Sequence, residues 1–301
     1  MSNFLKRAIT GTIFVIVMVG GIWWNYWSLC ALFFIISMLG LNEFYGLIEK
    51  TGHTPQRIAG NLIAALIFIL TALKDKYIYA SVFFHTSILL AVFSIIFIVE
   101  LYRNKETPFT NIGYTILGIV YIVIPFSMWV SYISPYIAGV DEVTSSSTFL
   151  KSLADALLPQ YNPHVLLGYF FLIWTNDTGA YLSGMALGKH KLWERISPKK
   201  TWEGFFGGML LSIGIGFLIS HFYTELSPLV WMLVGLTVSI FGTLGDLVES
   251  MFKRSINVKE SGGLLPGHGG ILDRFDGVLI STPIVLALLQ IIEITGALLK
   301  G

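Results

Sequence analysis

Charge is what this sequence has least of: 12% of its 301 residues are Asp, Glu, Lys or Arg, against 54% hydrophobic. With a mean hydropathy of +0.74, that poverty excludes an ordinary soluble domain. Cysteine is nearly absent too. The single Cys30 sits inside an apolar run, which leaves no disulfide framework and no thiolate metal site. The net charge is only +1, and no nucleic-acid partner is expected.

What is present is a series of apolar runs of about 20 residues, the length that crosses a bilayer. They lie at 8–24, 26–48, 58–73, 77–101, 111–134, 164–187, 204–222, 228–248 and 277–299, which predicts an all-α polytopic membrane protein with about nine transmembrane helices. Lys6 and Arg7 precede the first run as in a signal peptide, but no small-x-small cleavage site follows, so a retained helix is expected. With the N-terminus inside, 15 of the 19 Lys and Arg fall on the cytoplasmic side and 4 outside. That asymmetry predicts a cytoplasmic N-terminus, an outer C-terminus and a basic inner face suited to anionic headgroups or nucleotide phosphates.

The chain divides into a multi-spanning region, 1–134, with nothing that suggests chemistry; a polar, Ser-rich outer segment, 135–163; and a region, 164–301, where ionisable residues enter the spans. Intramembrane acids are costly and mark function by default. Asn176 and Asp177 lie in NDTGAY, Asp246 and Glu249 in GDLVES, and Asp273 and Asp276 in DRFDG. The predicted topology brings the last four to one membrane face, where they would repel unless a cation stood between them. Carboxylate with phosphate oxygens is the ligand set of Mg²⁺, which makes Asp246, Glu249 and Asp273 candidate metal ligands. For Asp273 a helix N-cap is an equally open role. Lys199, Lys200, Lys253, Arg254, Lys259 and Arg274 share that face as candidate phosphate contacts. His268, Gly269 and Gly270 form a glycine-rich turn at a helix start, expected to cradle an anion with its N–H groups.

The run Ser250-x-Phe252-Lys253-Arg254-x4-Lys259-Glu260-Ser261-Gly262-x2-Leu265-Pro266-Gly267-His268-Gly269-Gly270-x2-Asp273-Arg274-Phe275-Asp276 resembles the signature of CDP-diacylglycerol synthases, also called phosphatidate cytidylyltransferases. NDTGAY, ISPKKTWEG and GDLVES are similar to that family's other segments, in the same order. One departure is Glu260, where the family pattern has Asp. The resemblance implies transfer of CMP from CTP to phosphatidate, giving CDP-diacylglycerol and pyrophosphate, for phospholipid synthesis at a bacterial-type inner membrane. It further implies a homodimer surrounded by membrane lipid, an Mg²⁺ centre at Asp246 and Asp273, and K⁺ as a candidate second cation. Asp276, Lys259 and Arg274 are then expected in the catalytic set, with Asn176 and Asp177 among the substrate contacts. No cysteine lies in the second half and His268 and Ser261 lack a partner base, so direct displacement is expected rather than a covalent intermediate.

Three rival readings stand beside this one, and the first, a purely structural membrane scaffold, would not need the acidic cluster at all. Asp273-Arg-Phe-Asp276-Gly277 also opens like the acidic motif of CDP-alcohol phosphatidyltransferases, but the next ionisable residue is Glu293 and the rest of that motif is missing. An ion-coupled transporter would explain Asp177 and the glycine-broken spans, yet no internal repeat of the halves is visible.

Overall fold

The computed structural model describes residues 3–77, 82–134, 161–263 and 269–298. Residues 135–160 of the expected outer segment, and His268, lie outside the described residues. The helix α1 (Asn3–Trp24) gives way to α2 (Tyr26–Glu49) at Asn25, whose side chain accepts the Ser28 N–H at 2.8 Å while Ser28 Oγ accepts the Asn25 N–H at 3.0 Å. This reciprocal cap restarts the helix immediately. Next come α3 (Arg57–Tyr77) and α4 (Val82–Arg103), the latter followed by Asn104 at φ 47°.

α5 (Pro108–Gly118) runs through one π-helical turn, Ile119–Val123, into α6 (Ile124–Ile133). Ile124 N–H donates to the Ile119 carbonyl, five residues back. Pro125 explains the wide turn, because in an unbroken α-helix its ring would collide with the carbonyl four residues earlier.

The second half begins with α7 (His164–Leu187). An antiparallel hairpin of β1 (Lys191–Trp193) and β2 (Ser197–Thr201) follows, an addition to the all-α expectation. Thr201 then caps α8 (Trp202–Ile219) by accepting the Gly204 N–H at 3.2 Å. α9 (Pro228–Ser255) and α10 (Leu272–Leu298) complete the fold.

By length and composition, five helical stretches among the described residues are able to cross a membrane: Tyr26–Glu49, Pro108–Ile133, Trp202–Ile219, Pro228–Ser255 and Leu272–Gly296. Ala8–Trp24 and Arg57–Leu73 are shorter apolar helices. α7 is helical where a span was expected but is absent from that set, since Asn176, Asp177, Ser183 and three glycines dilute its apolar character. The architecture is that of an all-α membrane protein with one small hairpin.

Lipid gives little hydrophobic drive for helices to associate, so close backbone packing matters more. A Cβ on Gly179 of α7 would lie 3.0 Å from Gly208 Cα of α8, and one on Gly216 of α8 would lie 2.7 Å from the Trp231 carbonyl of α9. α9 and α10 meet in the same manner, a Cβ on Gly245 falling 2.5 Å from the Asp276 carbonyl. Beneath their polar ends, Phe275 joins Phe126 at 5.3 Å and Phe14 at 5.6 Å, which anchors the start of α10 to α6 and α1.

Candidate active site

Between α1, α7, α9 and α10 lies a cavity of about 400 Å³. Asp177, Asp246, Asp273 and Asp276 line it together with Lys200 and Arg274, while Phe14, Val15, Ile173, Trp174 and Val238 form an apolar wall. A second cavity, of about 420 Å³, opens under the hairpin and includes Lys199, Thr201 and Tyr181. Asn176, Asp177, Lys200, Thr243 and Asp246 border both, so the two are lobes of one site.

The hairpin brings the lysines to this site. Successive strand residues face opposite ways, which leaves Lys199 exposed and turns Lys200 inward, its Nζ 2.5 Å from Asp246 Oδ2. The hairpin root is held by Glu203, which accepts the N–H groups of Lys189 (3.1 Å) and His190 (3.2 Å) and lies 2.6 Å from His190 Nδ1.

The two acids of GDLVES part company. At about 100° per residue, positions three apart differ by about 60° around a helix. That offset leaves Asp246 on the cavity, where it accepts the Ser250 hydroxyl at 3.2 Å, and buries Glu249 at 1% exposure. Glu249 lines neither cavity. Lys253, one turn on, stands 2.5 Å from both Glu249 Oε2 and Asp273 Oδ1. The proposed ligands are therefore split into two ion-paired sets, Asp246 with Lys200 and Glu249 and Asp273 with Lys253.

The glycine-rich turn differs most from expectation. Asp273 Oδ2 accepts the N–H of Gly270 at 2.9 Å and of Ser261 at 3.0 Å. Glu43, from α2, accepts the N–H of Ile271 at 2.8 Å and of Leu272 at 3.3 Å. Of the expected cradle, the Gly270 N–H is thus taken by a protein carboxylate, as are the next two N–H groups, those of Ile271 and Leu272. Gly269, at φ +82°, supplies the left-handed residue that the bend requires.

The cavities unite Asn176, Asp177, Lys199, Lys200, Asp246, Asp273, Arg274 and Asp276. Arg254 and Lys259 are exposed and line neither, Arg254 instead donating to the Val258 carbonyl at 3.3 Å. Lys253 is engaged with carboxylates. Glu43 was missed, although it carried the signal that exposed Asp177: an acid inside an apolar run. Thr10, Gly11 and Phe14 of α1 and Thr243 of α9 also line the site, and nothing in their sequence context marks them.

Among the described residues no group of three His, Cys, Asp or Glu is clustered tightly enough to hold a metal by itself. Mg²⁺ characteristically takes one or two protein carboxylates and completes its shell with water and substrate phosphate. The donor chemistry of the cavity fits that mode, since its acids are hard oxygen donors. Asn176 also borders the cavity, but its Oδ1 is buried toward Gly208 of α8 and adds nothing to that donor set.

Residues 5–292 match the model of the cytidylyltransferase family. The chain belongs to that family. A phosphatidate cytidylyltransferase of Staphylococcus aureus is 52% identical over 128 residues, 42% of this chain and 49% of that protein. Those of Staphylococcus epidermidis, 52% identical over 126 residues, and Staphylococcus haemolyticus, 50% identical over 128, cover 41% and 42% of this chain and 48% and 49% of their own. This cytidylyltransferase-family chain thus spans about half the length of the curated relatives it matches.

Proposed function

We propose that this cytidylyltransferase-family protein transfers CMP from CTP to phosphatidate, releasing pyrophosphate, at the inner face of a bacterial membrane. The observation that carries the reading is the first cavity, which is lined by carboxylates and cations together with Phe14, Val15, Ile173, Trp174 and Val238. Such a site suits a reaction between a two-chain lipid that cannot leave the bilayer cheaply and a triphosphate that cannot enter it. The relatives' names and the signature in the second half support the same substrates. The resemblance also supports a homodimer, the nine apolar runs support nine crossings, and the charge asymmetry supports an inner N-terminus.

Asp246 and Asp273 would hold Mg²⁺, with Asp177 and Asp276 lining the same cavity, and the ion would supply charge neutralisation of the triphosphate. Lys200 and Arg274 bind phosphate oxygens and orient the α-phosphorus. A phosphatidate oxygen, already anionic at neutral pH, attacks that phosphorus in line. One P–O bond forms, the bond to the bridging oxygen of the β-phosphate breaks, and pyrophosphate carries the electron pair away. Lys253, locked between Glu249 and Asp273, keeps Asp273 in place.

The test is conversion of α-labelled CTP and phosphatidate by purified protein into a chloroform-soluble product. Asp246→Asn is expected to abolish it at ordinary Mg²⁺, because an amide is a poor ligand for a hard cation. An α-thio analogue of CTP should give product inverted at phosphorus; retention overturns direct displacement. Failure to use CTP, with release of CMP from CDP-diacylglycerol and an alcohol, establishes the phosphatidyltransferase reading instead.

A further inference from the structure

Glu43 belongs to the half of the chain where no chemistry was expected, yet its carboxylate lies within the signature segment. It accepts the N–H groups of Ile271 and Leu272, 228 and 229 residues away in sequence. The first N–H groups of a helix have no partner within the helix, and a negative charge there is favourable. Glu43 therefore closes the N-terminus of α10 from outside. Two glycines make room for it. A Cβ on Gly262 would come within 2.9 Å of Glu43 Oε2, and a Cβ on Gly270 would fall on Glu43 Oε1 and Ser261 Oγ.

We propose that Glu43 is a positioning residue for the active site, the buttress that fixes the turn presenting Asp273 to the cavity. Ile271 and Leu272 lie between Gly270, whose N–H orients Asp273 Oδ2, and Asp273 itself. Holding those two N–H groups fixes the backbone at both ends of that contact. Lys253 restrains Asp273 Oδ1 from the other side, so the carboxylate is held by α9 and by the N–H groups of Ser261 and Gly270, while α2 holds the backbone between Gly270 and Asp273. The N–H groups of Gly270, Ile271 and Leu272 accordingly have their anions built in, and substrate phosphates fall to the side-chain cations Lys199, Lys200 and Arg274.

The kinetic consequence rests on the transferase reading, whereas the structural one does not, and the experiment separates them. Hydrogen–deuterium exchange of full-length protein in detergent should show faster exchange across residues 269–273 in Glu43→Gln and Glu43→Ala, with α7 and α8 unchanged. Unchanged exchange at 269–273 overturns the proposal whatever reaction the protein performs. In the transferase assay, Glu43→Ala should lower kcat about ten- to a hundredfold, as loss of partners that orient site ligands does, with KM for CTP little changed. The isosteric Glu43→Gln, which keeps one oxygen for an N–H, should lose less. Tyr45→Phe is the control on the same helix: it removes a buried hydrogen bond to the Thr115 carbonyl (2.8 Å) without touching the turn, and should lower thermal stability but not kcat. A kcat loss in Tyr45→Phe equal to that in Glu43→Ala, or wild-type kcat in both Glu43 variants, would overturn the positioning role.

Discussion

Lys200 and Lys253 each place an ammonium 2.5 Å from a carboxylate, but Asp246 is 36% exposed, whereas Glu249 and Asp273 are 1% and 9% exposed. A partly exposed ion pair lies nearer the about 0–1 kcal/mol of surface pairs than the cost of a buried one, so Lys200 is expected to leave Asp246 for a phosphate at small cost. Removing one partner of a buried pair costs about 3–5 kcal/mol, because a charge is left uncompensated. Lys253→Met should therefore lower the melting temperature clearly, leaving two acids facing each other. Lys200→Met should leave the melting temperature almost unchanged while reducing CTP turnover about a hundredfold or more, the scale of losing one charge-stabilising donor. Thermal unfolding and turnover of the two purified variants check this, and the reverse pattern would exchange the roles assigned to them.

Between elements, the glycine contacts set how closely the helices bearing the site approach. Gly179 has only 3.0 Å between a built Cβ and Gly208 Cα, which is backbone and cannot swing aside, while Gly214 has nothing within 4 Å. Gly179→Val should force α7 and α8 apart, separate Asp177 from the hairpin lysines, and reduce both the yield of folded protein and its activity. Gly214→Val, on the same bundle, should be tolerated in both respects. Size-exclusion profiles and CTP turnover of the pair measure the difference, and equal behaviour would show that α7 and α8 do not depend on this contact.

For the whole molecule, the distribution of Lys and Arg, 15 against 4 of 19, sets the expected orientation. Reporter fusions should place the N-terminus, the 188–203 hairpin region and the 249–276 segment on the cytoplasmic side, and the C-terminus outside. A cytoplasmic C-terminus would remove one crossing from the proposed nine. That orientation puts both lobes of the site, and the Lys199 and Lys200 strand beside them, where a cytosolic triphosphate arrives.

Composition and the length of the apolar runs were enough to establish a helical membrane protein, because a bilayer restricts spanning segments to long apolar helices or closed barrels. The order of NDTGAY, ISPKKTWEG, GDLVES and the signature pointed to the family, and Asp177, Asp246, Asp273, Arg274 and Asp276 do meet at one cavity. Which of the predicted residues line the cavity was a different matter. The separation of Asp246 from Glu249 follows from helix rotation against particular neighbours, and the engagement of Lys253 from the approach of α10 to α9. The N–H groups of the 269–272 turn looked free in sequence because the carboxylate that takes two of them, Glu43, lies more than 200 residues away. Local sequence determines which backbone groups a turn leaves without partners; only the packing of distant segments decides what satisfies them.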